Sequence, residues 1–247
     1  RGGPGLGGIQ PSQSDYYQAT RGVGHGDLRL LVLAPSSVQE MASLTATAFD
    51  LADIYRMPAM LLADGALGQM MEPVDFSAFE KHEIPEKPWA TVGHKMAREH
   101  NIVNSLFIDP QVLEDSVRAR YKRYNMVEEK EVRYEEFCTD DADIVLVAFG
   151  ITARICKSAV TAAREKGIKA GLLRPITLWP FPKKPIAAVA DHAKALLSVE
   201  MSMGQMVDDV RLAVNGKKPV CFYGRTGGMI PSVEEVTAEI EKLAAAL

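Results

Sequence analysis

The chain has 247 residues, 47% hydrophobic and 24% charged, with a formal net charge of −4. That balance belongs to a globular protein of one large or two ordinary domains, and it excludes a basic surface built to neutralise nucleic-acid phosphates. No apolar run is long enough to cross a bilayer, and the three cysteines (Cys138, Cys156, Cys221) stand alone, which excludes a disulfide framework, a cysteine zinc site and the four thiolates of an iron–sulfur cluster within this chain. Isolated thiols point to a reducing, cytoplasmic setting.

The opening, RGGPGLGGIQPSQSDYYQATRGVGHGD, holds eight glycines in its first 26 residues. Gly3-Pro4-Gly5-Leu6-Gly7-Gly8 fits G-x-G-x-x-G, but a dinucleotide site needs a strand before it and an apolar helix after it. Here a polar, proline-broken run from Ile9 to Asp15 follows instead. Two readings remain: tight turns alone, or a pocket loop. In the second, Gly5, Gly7 and Gly8 let the backbone approach a ligand, and Gln10, Ser12 and Gln13 supply polar groups. The fork of donors on Arg1 suits a small carboxylate. His25 and Asp27 have the chemistry of an acid–base pair, although a histidine between glycines reads more plainly as a turn. The five histidines show no metal spacing.

Leu28–Ala34 reads as a buried strand. Ser37 and Glu40 fit a capping box, and apolar residues at 41, 44, 48, 51 and 52 carry the helix to about Arg56. Ala59–Ala63 is a second strand, and Asp64-Gly65 a turn at its end. Strand, helix, strand implies a parallel layer, but two strands cannot close a sheet that needs cover on both faces. So 1–64 is expected to be the end of a larger domain, its strands bordering on structure outside the chain.

Residues from about 65 to 110 hold four prolines and little periodicity, and 111–133 reads as a solvated helix. From Asp143 strands and helices alternate. Strands are expected at Ile144–Phe149, Ile168–Leu173, Ala195–Glu200 and Pro219–Tyr223. Helices follow each, with Thr152 and Ser232 as caps and Gly167 as a stop. Trp179 reads as a core or interface anchor, the methionines near Met203 as a contact surface, and Tyr223–Gly228 as a packing turn.

Five blocks occur in order along nearly the whole chain: the opening stretch, VLAPSSVQE, DGALGQMMEP, LLRPITLWPFP, and VEMSMGQMVDDVR with its later YGRTGG. Together they resemble the alpha subunit of 2-oxoacid:ferredoxin oxidoreductases, above all the 2-ketoisovalerate (3-methyl-2-oxobutanoate) branch. The resemblance implies an α/β chain in three parts. Residues 1–64 are the C-terminal part of a thiamine-diphosphate-type pyrimidine domain. Residues 65–142 form an irregular and helical connector, and 143–247 a transketolase C-terminal-like parallel α/β domain. The family's alpha subunits begin well upstream of Arg1, so the chain by itself is expected to be inactive.

By the same resemblance, Arg1 matches the family arginine that faces the substrate carboxylate, and the loop with Gln10, Ser12 and Gln13 lines that pocket. The implied reaction is oxidative decarboxylation of a 2-oxoacid to acyl-CoA and CO2, with electrons passing to ferredoxin. Thiamine diphosphate, its Mg2+ and an iron–sulfur cluster are implied on a partner beta subunit, with a gamma subunit alongside and coenzyme A as co-substrate. Pyruvate remains open as substrate, and so does 2-oxoglutarate, whose second carboxylate would need Arg21 or His25. A non-catalytic scaffold for the cofactor-bearing subunit is the other open reading.

Overall fold

The computed structural model describes residues 1–21 and 24–247; Gly22 and Val23, within the glycine-rich opening, lie outside the described residues. Two sheets organise the chain. The smaller has three strands in the order β2-β1-β6, with β1 (Leu31–Leu33) parallel to β2 (Ala59–Leu61) and antiparallel to β6 (Thr177–Trp179). The larger has five, in the order β3-β5-β4-β7-β8. In it β4 (Ile144–Val147), β5 (Ala170–Pro175), β7 (Ala195–Glu200) and β8 (Val220–Gly224) are parallel, and β3 (Tyr134–Phe137) is an antiparallel edge.

Two strands depart from the sequence reading. β6 follows directly on β5 and crosses to the N-terminal strands, so the small sheet gains a third strand from within the chain. Its proline-flanked LWPFP context hid it, because Pro180 and Pro182 leave only three residues able to pair. β3, inside the expected connector, joins the large sheet, which therefore starts before Asp143. Its charged sequence YEEF fits an edge, where one face meets water.

The sheets share one core. Leu31, Val32 and Leu33 pack with Leu44 and Leu51 of α2 (Val38–Tyr55), with Trp179 and Phe181, and with Val145 and Val147 from β4. The alternate β4 residues, Ile144 and Leu146, face a second core with Cys156 and Val160 of α4 (Gly150–Glu165) and Ile240 of α7 (Val233–Ala246). This period-two division is what a strand buried on both faces requires. Trp179 is an anchor as expected, meeting the Tyr124 ring edge-on at 5.8 Å. Tyr124 belongs to α3 (Pro110–Lys130), which Asp109 caps.

Two expected caps differ. Ser37 accepts the Glu40 N–H, but the Glu40 carboxylate does not return to the helix start. It accepts instead from the Ser36 N–H at 2.7 Å and from the buried Arg174 guanidinium at 2.7 and 2.8 Å. Arg174 also donates to Glu135 on β3, so one side chain bolts α2 to the large sheet. Thr152 does not cap α4; the helix starts at Gly150, and the Thr152 hydroxyl donates to the Phe149 carbonyl. The Ser232–Glu235 capping box forms as expected.

Residues 62–109 hold only two short 3-10 turns. They lie over α2 through polar contacts, including Lys87–Asp53, His82–Asp50 and the Arg56 guanidinium over Trp89. No described helix is long and apolar enough to cross a membrane.

Candidate functional site

The carboxyl ends of parallel strands are where open α/β sheets place ligands. Here the loops after β1, β2, β4, β7 and β8 converge, and the first 14 residues lie against them. Gln13 is the main anchor. It is buried, its backbone N–H donates to the Met201 carbonyl at 2.9 Å, and its amide donates to the Phe149 carbonyl at 2.8 Å. The amide oxygen accepts from the Met201 N–H at 3.0 Å and lies 3.2 Å from the Thr152 hydroxyl, whose proton goes to the nearer Phe149 carbonyl. The residue expected to line a pocket thus has its side chain committed to protein partners, holding the opening segment to the ends of β4 and β7.

The glycine-rich loop itself is exposed and self-closed. The Gly8 N–H donates to the Gly2 carbonyl and the Gly2 N–H to the Gln10 carbonyl, both at 2.9 Å. Gly7 has a φ of +52°, and a Cβ on it would stand 1.9 Å from the Gly2 oxygen, so no other residue fits. The Arg1 guanidinium arches over this ring toward the Gly5 carbonyl, 3.5 Å away. Arg1, Gly5, Gly7, Gly8 and Gln10 are therefore together on one surface loop. Ser12 stands apart from them, its hydroxyl 2.6 Å from that of Ser14. The first helix begins only at Tyr16, so the helix N-terminus that a dinucleotide loop needs directly after it is not formed.

Other loops complete the surroundings. Asp64 is buried, accepting from the N–H groups of Ala66 and Leu67 and from that of Ile151 in the first turn of α4. Asp64-Gly65 is thus a turn that also caps a helix from outside. Gly65 packs against the Ile9 carbonyl and Pro11, and Gly2 against Gly227 and Gly228. The two glycine loops, at opposite ends of the chain, are neighbours in space. Leu6, Ile9, Met203 and Met229 are exposed hydrophobics on these same loops.

Sequence reasoning missed Glu200. At the end of β7 it is fully buried, and its carboxylate accepts from the Ser198 and Ser202 hydroxyls. It also accepts from the N–H groups of Gln205, Met206 and Val207, at 2.9–3.0 Å, capping α6 (Met206–Val214). A carboxylate closing an apolar strand, just before a polar loop and a helix, was the available signal. The next turn of α6 carries a second cluster. Tyr16 donates to Asp209, Tyr17 to Asp208, and Arg21 pairs with Asp209 at 2.7 Å while stacking over the Tyr17 ring. Burial, and then the Asp209 charge, push the Tyr16 hydroxyl well above the usual phenol range. His25 is exposed and makes no hydrogen bond to Asp27 among the described residues.

Among the described residues, no group of three or more His, Cys, Asp or Glu side chains is arranged to hold a metal ion. A cavity of about 530 Å³ lies elsewhere, between the end of α3, β6 and the start of α5 (Lys183–His192), floored by Leu178, Trp179 and Phe181.

Comparison with known proteins bears on this arrangement. Residues 1–145 match the sequence model described as pyruvate flavodoxin/ferredoxin oxidoreductase, thiamine diphosphate-binding. Residues 142–236 match that of pyruvate:ferredoxin oxidoreductase core domain II. The chain is 48% identical to ketoisovalerate oxidoreductase subunit VorB of Methanothermobacter marburgensis, over 99% of this chain and 69% of that protein. Among solved structures, it superposes with a TM-score of 0.82 on 2-oxoglutarate:ferredoxin oxidoreductase from Magnetococcus marinus, at 22% identity. That alignment covers 98% of this chain and 47% of the other, whose structure holds 2-oxoglutarate, coenzyme A and succinyl-CoA. A split-gene transketolase matches 86% of this chain and 56% of its own at 14% identity, with a TM-score of 0.50. The α/β architecture is thus that of thiamine-diphosphate enzymes of the oxidoreductase and transketolase kind.

Proposed function

The chain belongs to the 2-oxoacid:ferredoxin oxidoreductases, and from that premise we propose that it helps form the substrate site of a complex that oxidatively decarboxylates 2-ketoisovalerate to an acyl-CoA and CO2, reducing ferredoxin. The observation that carries the proposal is the closed glycine loop under Arg1, seated on the carboxyl ends of the strands. The guanidinium is exposed and, among the described residues, makes one long hydrogen bond, to the Gly5 carbonyl at 3.5 Å, so donors are available to both oxygens of a substrate carboxylate. Gly5 and Gly7 leave the backbone beside Leu6 open to a ligand, and Gln10 adds an amide over Gly8. Gln13 and Ser12 hold the loop in place rather than face the ligand. The division into pyrimidine-type (1–64), connecting (65–142) and transketolase-type (143–247) parts belongs to this proposal, with β3 of the connecting part joined to the large sheet.

Substrate choice follows from charge. A second carboxylate, as in 2-oxoglutarate, needs a second free cation. Arg21 is committed to Asp209 and Tyr17, which leaves the exposed His25 as the open candidate of the two. Exposed Leu6, Ile9 and Met229 instead suit a branched aliphatic group. Thiamine diphosphate supplies the carbanion chemistry of such enzymes. From the family membership we assign the diphosphate, Mg2+ and iron–sulfur cluster to a beta subunit. A gamma subunit, ferredoxin as acceptor, coenzyme A as co-substrate and a cytoplasmic setting complete the assignment.

A second reading, a scaffold that only holds the cofactor-bearing subunit, draws on the exposed Met203 and Leu6 surface. The test is to co-express the full product of the gene with its adjoining reading frames and follow anaerobic, coenzyme A-dependent reduction of a viologen dye. The proposal expects 2-ketoisovalerate to be turned over ahead of pyruvate and 2-oxoglutarate. An assembled complex inactive with all three would favour the scaffold.

A further inference from the structure

The Tyr223–Gly228 loop reads from sequence as a packing turn, and what it packs against is Gln10. A Cβ on Gly228 would stand 2.3 Å from the Gln10 Cβ and 2.9 Å from its Cγ. On the other side, a Cβ on Gly8 would stand 2.1 Å from the Gln10 Oε1. The Gln10 side chain therefore occupies the space that two glycines, from opposite ends of the chain, leave vacant. The loop bearing Gly228 is firmly rooted. The Arg225 N–H donates to the Glu200 carbonyl at 3.1 Å, and the Arg225 guanidinium pairs with Glu235 in the cap of α7.

We propose that Gly228 is a positioning residue of the substrate pocket: it seats Gln10 over Gly8 and so fixes the amide donors and acceptor beside Arg1. This rests on the reading of the opening loop as a 2-oxoacid site. A long, otherwise exposed glutamine would lose its side-chain freedom on each binding event; held between two glycines, it has lost that freedom beforehand. The C-terminal unit thereby shapes the pocket without touching the substrate.

Gly227 provides the control. Gly227 and Gly228 both have positive φ, +68° and +95°, so alanine strains the backbone at either. Only at Gly228 does the added methyl strike Gln10; around Gly227 nothing lies within 4 Å. In the assembled holoenzyme, Gly228→Ala is expected to raise KM for 2-ketoisovalerate roughly tenfold with kcat nearly unchanged, and Gly227→Ala to raise it less than about threefold. Gln10→Gly is expected to raise KM in the parent and to add nothing in the Gly228→Ala background. A thermal double-mutant cycle reads the contact without turnover. Gln10→Gly should recover part of the Tm lost in Gly228→Ala and none of that lost in Gly227→Ala. If Gly228→Ala alone does not assemble, the double variant against Gly227→Ala keeps the comparison. Equal KM values for the two alanine variants, or additive effects with Gln10→Gly, would overturn the proposal while leaving the enzyme reading intact. A parent complex inactive with every 2-oxoacid would overturn the enzyme reading itself, and the pocket role with it.

Discussion

Replacing Arg174 by methionine should destabilise the chain by about 3 kcal/mol, the low end of the usual cost of breaking a buried ion pair. The buried guanidinium donates to both Glu40 oxygens at 2.7 and 2.8 Å, to Glu135 at 2.8 Å and to the Ser36 hydroxyl at 2.7 Å. Its loss does not strand both carboxylates. Glu135 keeps Lys157 at 2.7 Å, and Glu40 keeps the Ser36 N–H at 2.7 Å and is partly open to water. That residual support places the cost near 3 rather than 5 kcal/mol, or about 6–12 °C in Tm for a chain of this size. Urea unfolding at pH 7, followed by far-UV circular dichroism, measures it. Adding Glu40→Leu should recover at least half of the loss, because an apolar pair of similar volume replaces an ion pair at little cost. A loss below about 1 kcal/mol for Arg174→Met would refute the view that this residue bolts α2 to the large sheet.

The same cluster sets an acid limit. Burial pushes Glu40 up, but Arg174 holds it below its ordinary value of 4.5, and Lys157 and Arg174 do the same for Glu135 against its own burial. Groups with lowered folded values stabilise fully above 4.5 and lose that contribution as pH falls through the folded values. The urea midpoint should therefore hold above pH 5 and decline below about 4.5, with a shallower decline in Arg174→Met; identical slopes would count against the assignment. The thiols should also separate. Cys156 is fully buried, and desolvation pushes its thiol far above the ordinary range, whereas Cys138 is exposed. Maleimide labelling read by mass spectrometry should modify Cys138 in the native chain and Cys156 only in denaturant; native labelling of Cys156 would contradict its burial.

What the sequence showed and what it hid divide by range. The Ser232–Glu235 box was legible because both partners sit within one helical turn. The Ser37–Glu40 box was only half legible, since Arg174, distant in sequence, takes the carboxylate the local rule assigns to the helix start. β1, β2, β4 and β7 announced themselves as apolar runs, while β6, three residues between prolines, had no such run to show. In the site, Gln10 and Gln13 sit in one polar stretch with no periodicity to separate them. Only tertiary burial makes Gln13 an anchor and leaves Gln10 on the surface loop. Glu200 escaped notice because four of its five donors come from the loop and helix that follow the strand, Ser198 alone lying on β7, and their convergence on one carboxylate is a matter of the fold.

The most direct test of the central claim, that the opening loop binds the 2-oxoacid carboxylate, is Arg1→Ala in the assembled, coenzyme A-dependent complex. Losing a charge-assisted, two-pronged contact of about 3 kcal/mol lowers kcat/KM for 2-ketoisovalerate roughly a hundredfold. That loss, with assembly intact by size-exclusion chromatography, is the result expected. Activity within about threefold of the parent would show that the glycine loop is a structural turn and that the carboxylate is held elsewhere.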